Sequence, residues 1–228
     1  MRWFLDLLDT GEDALRNPSA WDDPFENFFL ARTKVDMGGD IATLGNLADD
    51  WYGQCWTTNC DTDAMWRIYS SDRNGVQVKT TVRKLFDNLC RTPAWSPPIQ
   101  FFVGQVDYKS EDEIKAMMGQ LTFADVSIGG QGDGFARLLC IKREAFRHER
   151  EVRIMYQSVP RAAGPKGAGG TLRYRLEANA VFDEILLDPR LTDAEVRAMG
   201  AGIAALGWRG AAPRSTLYEA PDFLIPAT

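Results

Sequence analysis

Histidine is almost missing from this chain. One residue, His148, is found among 228, so a Ser-His-Asp or Cys-His site would have to be built on that imidazole, and no G-x-S-x-G turn accompanies it. The four cysteines, Cys55, Cys60, Cys90 and Cys140, show no C-x-x-C spacing. Without close ligand pairs no zinc or other metal is expected, and buried reduced thiols are. Walker and dinucleotide-fold glycine patterns are lacking too. The cluster Gly129-Gly130-Gln131-Gly132-Asp133-Gly134 resembles a phosphate cradle in composition alone, since it lacks the strand before it and the helix start after it. No apolar run approaches the roughly 20 residues that span a bilayer, and the N-terminus lacks a signal-peptide apolar core. A cytoplasmic protein with no membrane partner is expected. Positive charge is also short. Lys and Arg number 26 against 32 Asp and Glu, a net charge of −6 and a pI near 4.9. That balance does not indicate nucleic acid or an anionic lipid surface as partner.

What is present reads as an ordinary globular composition, 45% apolar and 25% charged. The length suits one domain, residues 1–228, able to bury a core without staples. Seven Trp and twelve Phe suggest a well-packed core or aromatic-lined pockets.

Along the chain, Trp3–Leu8 reads as a helix stopped by Thr10-Gly11. In Trp21-Asp22-Asp23-Pro24-Phe25-Glu26, Pro24 suits a first helical position, Asp23 an N-cap and Glu26 a capping box. Residues Trp51–Thr57 and Val76–Thr80 alternate as strands. Between them a polar turn leads into a helix over Ala64–Ser70 with Asp63 as cap, and Thr81 caps another through Leu89. Pro93, Pro97 and Pro98 mark a connection, Phe101–Tyr108 a strand, and Asp112–Leu121 a helix. Phe135–Phe146 reads as helical or irregular, and 162–170 as a small-residue loop. Strands over Thr171–Leu176, Ile185–Leu187 and Ser215–Tyr218 follow, with a T-x-x-E box at Thr192–Glu195 opening a helix to Leu206-Gly207. The order predicts an α+β fold with a mixed, split β-sheet core and flanking helices.

The segment Phe146–Tyr156 carries the chemistry. Val152, Ile154 and Tyr156 would face one side of a strand and Glu149, Glu151 and Arg153 the other, with neighbours on a face about 7 Å apart. A row of two carboxylates and a guanidinium is either a solvated face or the lining of a polar cleft, because unpaired charge is costly away from water. His148 falls on the apolar side of this pattern.

Taken together, Trp21-x-Asp23-Pro24-x-Glu26, Gln54-Cys55-Trp56-Thr57, Met65-Trp66-Arg67-x-Tyr69 with Gly75-Val76, and Glu149-x-Glu151-x-Arg153 resemble a widespread bacterial domain family of unknown function. A second resemblance is to ADP-ribosyltransferases of the arginine-serine-glutamate class. Under it, Cys55-Trp56-Thr57 stands at the hydroxyl-bearing strand, Val76–Thr80 at the strand that follows, and Glu149-x-Glu151 at the Glu-x-Glu strand. The resemblance implies an ADP-ribosyltransferase-like fold and NAD as co-substrate, with Glu151 the catalytic acid on the nicotinamide ribose and Glu149 orienting the acceptor. Trp56, Thr57, Trp66, Arg67, Tyr69 and Arg153 would serve NAD, with Asp23 and Glu26 on the substrate side. The class carries an arginine on a strand before the first helix. Here only Arg2 is near, so Arg67 or Arg153 would have to grip the pyrophosphate.

Such chemistry needs these residue types. Cleavage at the ribose passes through an oxocarbenium-like state, which a nearby carboxylate stabilises while a second orients the nucleophile. A macromolecular acceptor, an antitoxin-like partner protein, and a toxin or phage-defence role would follow. Two other readings stand beside it. One is a non-catalytic binding or regulatory module in which the charged row is a salt-bridged ladder. The other is a metal-dependent nucleotide or phosphodiester hydrolase, with Asp22, Asp23, Glu26, Glu149 and Glu151 converging on magnesium.

Overall fold

The structure, a computed structural model, describes all residues except 22, 24, 25, 27–32, 37, 44–47, 92–99, 123, 126–132, 159–168, 225, 227 and 228, and the side chains of 42 and 43. The expected roles of Asp22 and Pro24, the proline connection 93–98, most of the glycine cluster and most of the loop 162–170 lie outside the described residues.

In chain order the elements are α1 (Arg2–Thr10), β1 (Glu12–Arg16), β2 (Lys34–Asp36), β3 (Ile41–Thr43), β4 (Trp51–Thr57), α2 (Asp63–Tyr69), β5 (Val76–Lys79), α3 (Val82–Cys90), β6 (Phe101–Gln105), β7 (Asp107–Lys109), α4 (Glu111–Gln120), α5 (Asp133–Leu138), β8 (Ile141–Arg143), β9 (Glu151–Gln157), β10 (Thr171–Arg175), α6 (Ala178–Val181), β11 (Glu184–Leu187) and α7 (Asp193–Ala205). Single 3-10 turns occupy Pro18–Ala20 and Glu144–Glu149. The α+β class holds, and the strands are split among several sheets. The main sheet is not mixed, however. Its five strands, in order β10-β1-β4-β9-β6, are all antiparallel, and among the described strands the parallel pair is β7 with β8.

The described residues divide into two compact units, one of Met1–Gly11, Cys60–Thr80 and Ala178–Thr228, the other of Glu12–Asn59 and Thr81–Glu177. In the first, β5 pairs antiparallel with β11, and Ile185 and Leu187 are fully buried. α7 starts on the expected capping box, with the Thr192 hydroxyl taking the Glu195 N–H. α1 ends at Gly11, whose φ of 67° gives the left-handed cap that glycine adopts without strain.

The second unit contains the main sheet. Period-two alternation gives it two faces. Leu15, Tyr52, Phe101, Ile154, Tyr156, Leu172 and Tyr174 line one face and are buried, and Leu85 and Leu89 of α3 are buried on that helix's apolar stripe. The Phe101 ring lies 5.1 Å from Tyr156 and 6.4 Å from Phe86 of α3. On the opposite face Trp51 and Met155 join Ile114 of α4, Phe135, Ala136 and Leu138 of α5, and Leu139, Cys140 and Ile141 in a second apolar cluster. Glu151 and Arg153 belong to this second face, because Thr57 pairs with Glu151, Cys55 with Arg153 and Gly53 with Met155.

Several expectations change in detail. The 101–108 strand breaks at Val106. There the chain changes partner, since the Val106 N–H goes to the Glu151 carbonyl on β9 and the Asp107 N–H to Cys140. The segment 135–146 contains strand β8, and the 149–156 strand begins at Glu151. Glu149 closes a 3-10 turn, and Arg150, at φ 47°, ψ 53°, interrupts the extended backbone. His148 is exposed on that turn instead of facing a core. The 215–218 strand is absent, and one bridge, Leu187 with Arg214, stands in its place. A strand that the pattern did not predict, β1, lies second in the main sheet.

Candidate functional site

The charged row of β9 is neither a solvated face nor the wall of an open cleft. Glu149 and Glu151 are each 5% exposed and Arg153 is fully buried. Compensation for the lost hydration comes from a residue the sequence reading passed over. Lys142, at the centre of β8, places its ammonium 2.6 Å from Glu26 Oε1 and 2.7 Å from Glu151 Oε1, and also binds Glu149 Oε2. Arg153 closes the other side, with Nη2 2.8 Å from Glu151 Oε2 and 3.2 Å from Glu26 Oε1, and Nε donating to Glu151 at 2.8 Å. Its Nη1 donates to the Leu139 carbonyl. The Trp21 ring covers the guanidinium at 4.5 Å, and Phe146 lies 4.7 Å from the ammonium. At Gly53 a side chain would strike Trp21, 2.9 Å from the ring, so glycine there leaves room for the indole.

Local structure explains the convergence. Glu149 and Glu151 are two residues apart but lie in different elements. The left-handed turn at Arg150 redirects the backbone so that both carboxyls reach one cation. β4 anchors that turn: Thr57 Oγ1 donates to the Glu149 carbonyl at 2.5 Å, and the Thr58 N–H donates to the Arg150 carbonyl at 3.0 Å. Tyr108 of β7 accepts the Glu151 N–H at 2.8 Å.

Protonation follows from the same contacts. Burial pushes the Glu151 carboxyl upward, but a hydrogen bond from Glu149 and the charges of Arg153 and Lys142 outweigh it and hold the group at about 2. Burial pushes Lys142 downward, but its bonds to Glu149, Glu151 and Glu26 keep it well above the usual lysine value. Two cations thus contact three carboxyl groups, and such pairing offsets the cost of burying charge.

Asp23 and Glu26 are both buried and use their carboxylates in ion pairs, Asp23 with Arg143 at 2.9 Å and Glu26 inside the cluster. The helix for which Asp23 and Glu26 were expected to form a capping box lies outside the described residues. Four of the five acids proposed for magnesium are thus described, and each faces Lys142, Arg153 or Arg143. Trp56 donates its indole N–H to Gln54 at 2.8 Å. Trp66, Arg67 and Tyr69 belong to the other unit. There the Trp66 indole donates to Asp61 at 2.7 Å, Arg67 pairs with Asp63 at 2.8 Å, and Tyr69 is 62% exposed. The strand expected to follow the hydroxyl motif, β5, pairs with β11 in that unit and is outside the main sheet. An arginine-bearing strand is present nonetheless. Arg16 of β1 pairs with Gly53, shares a sheet face with Thr57 and Glu151, and is exposed.

The stretch that contains most of this cluster is similar to a known family. Residues 65–154 match the family described as Protein of unknown function (DUF2971). The likeness to a domain family of unknown function holds over that stretch. The DUF2971 match includes Met65-Trp66-Arg67-x-Tyr69 and the whole of Lys142, Glu149, Glu151 and Arg153, while Trp21–Glu26 and Gln54–Thr57 precede it. Neither a curated protein nor a solved structure matches the chain. The DUF2971 description assigns no activity, so function has to be argued from the cluster. Among the described residues no helix is long and apolar enough to cross a membrane.

Proposed function

We propose that the chain is a cytoplasmic NAD-consuming transferase of the ADP-ribosyltransferase type, with the main-sheet unit as its catalytic fold. The observation that carries this reading is the register that sets Thr57 opposite Glu151 on adjacent strands. Glu151, ionised at any ordinary pH, is suited to meet the positive charge that develops on a ribose as nicotinamide leaves. Glu149, paired with Lys142, is suited to orient or deprotonate the acceptor. Arg16, on the neighbouring strand and the same face, supplies the cationic strand that the class uses for pyrophosphate. Lys142 already occupies Glu151 Oε1, so a ribose hydroxyl has to replace that ammonium contact. The acceptor is a macromolecule, and a toxin or phage-defence role fits NAD consumption.

The test is incubation with labelled NAD and cell extract. Nicotinamide release or a labelled macromolecule is expected from the native protein and neither from Glu151→Gln, with circular dichroism confirming that the variant folds. Native protein that neither releases nicotinamide nor labels anything refutes the reading.

A second reading is favoured by the closure of the cluster. Every charged group in it has an opposite charge within reach, and the acids are almost inaccessible. Under it the chain is a non-catalytic binding or regulatory module, and Glu151→Gln shifts the melting temperature of a protein that has no turnover to lose.

A further inference from the structure

A cavity of about 680 Å³ lies along β6, away from the acids, within the range of small-molecule sites. Three of its properties together define what it would hold. β6 is the outermost strand of the main sheet. The Val106 N–H bonds the Glu151 carbonyl, and antiparallel pairing alternates bonded and non-bonded positions. The N–H and C=O groups of Val103 and Gln105 therefore point away from β9, along the cavity that these residues line. Phe102, its pairing partner Met155 and Met117 give the cavity an apolar, polarisable floor, a lining that suits a flat π-system. Asp133 also lines the cavity. Its Oδ1 is buried with no hydrogen-bond partner among the described residues, while Oδ2 stands 3.6 Å from Arg137. Although the side chain is 47% exposed, Oδ1 itself is shielded, and a ligand that brings an N–H there gains affinity.

We propose that this groove binds a planar nitrogen heterocycle bearing an exocyclic amino group. One edge of the ring bonds the outward backbone groups of Val103 and Gln105, and the amino group donates to Asp133. Adenine has this chemistry. The site is separate from the acid cluster and the proposal does not depend on the transferase reading.

The test is calorimetric titration of the whole protein with adenosine and with inosine, which keeps the ring but replaces the amino group by a carbonyl. Adenosine is expected to bind, with inosine at least tenfold weaker. Asp133→Asn should bring adenosine to the inosine level. Val103→Pro removes one outward N–H at a strand edge where proline is tolerated, and should weaken adenosine roughly 3–10-fold. Met117→Trp fills the groove and should abolish binding. Failure of adenosine to bind, equal binding of inosine, or full affinity in Met117→Trp overturns the proposal. Circular dichroism identifies any variant that has not folded.

Discussion

Replacing Lys142 by methionine is the most direct probe of the buried cluster. The ammonium is the contact shared by Glu26, Glu149 and Glu151, and its side chain is 6% exposed. Methionine keeps most of the volume and removes the charge, leaving Arg153 to face three carboxyls. Removing one partner from a buried ion pair costs about 3–5 kcal/mol, and that is the loss expected near pH 7. The pH dependence is more telling. In the native protein Glu151 is held at about 2, below an ordinary 4.5. Its stabilisation is present above the ordinary value and is lost as pH falls toward about 2. At about 1.4 kcal/mol per tenfold in proton affinity this amounts to at most about 3.5 kcal/mol. In Lys142→Met the uncompensated carboxyls should titrate above their ordinary values. They then favour folding when protonated, and stability should fall as pH rises from about 4 to about 7. Urea unfolding at several pH values reads both curves. A loss under about 1 kcal/mol, together with a variant curve parallel to the native one, would show that the carboxyls are solvated and that the burial argument is wrong.

Three further outcomes are expected. Gly53→Ala places a methyl against the Trp21 ring, 2.9 Å away, and should cost about 1–3 kcal/mol in urea unfolding. Thr57→Val removes the hydroxyl that donates to the Glu149 carbonyl and accepts the Asn59 N–H. It should lower stability by about 1–2 kcal/mol, with faster amide exchange at Asn59. In the other unit, Asp188 is fully buried and bonded by Arg190 and Ser70. Burial would raise its carboxyl, but those bonds hold it below an ordinary 3.8. Asp188→Ala should cost about 3 kcal/mol at neutral pH, and less below the ordinary carboxyl range, where the native group loses its advantage. An unchanged midpoint at both pH values would refute that assignment.

Much of this was legible in the residues. Strand β4 falls on Trp51–Thr57 as its alternation indicates, and the Thr81 and Thr192 caps act as their spacing indicates. The charged row was found, but its setting was not. Whether Glu151 is solvated depends on a cation nine positions earlier, carried by a three-residue strand too short to show a period. β1 was missed for a similar reason, since Glu12-Asp13-Ala14-Leu15-Arg16 holds one large apolar residue, and its pairing with β10 comes from residues about 160 positions away. Trp66 and Glu151 were grouped by motif order, and sequence order does not reveal that the chain assigns them to different compact units.

The unit holding α1 is assembled from three pieces of chain, at the start, the middle and the end. Its first eleven residues leave the ribosome long before β11 and α7 exist. During synthesis the exposed side of that opening helix must wait for the final fifty residues, whereas the main-sheet unit has its last strand in hand by Arg175. A chain truncated after Glu177 should therefore already resist protease across the main sheet while Met1–Gly11 and Cys60–Thr80 remain open to cleavage.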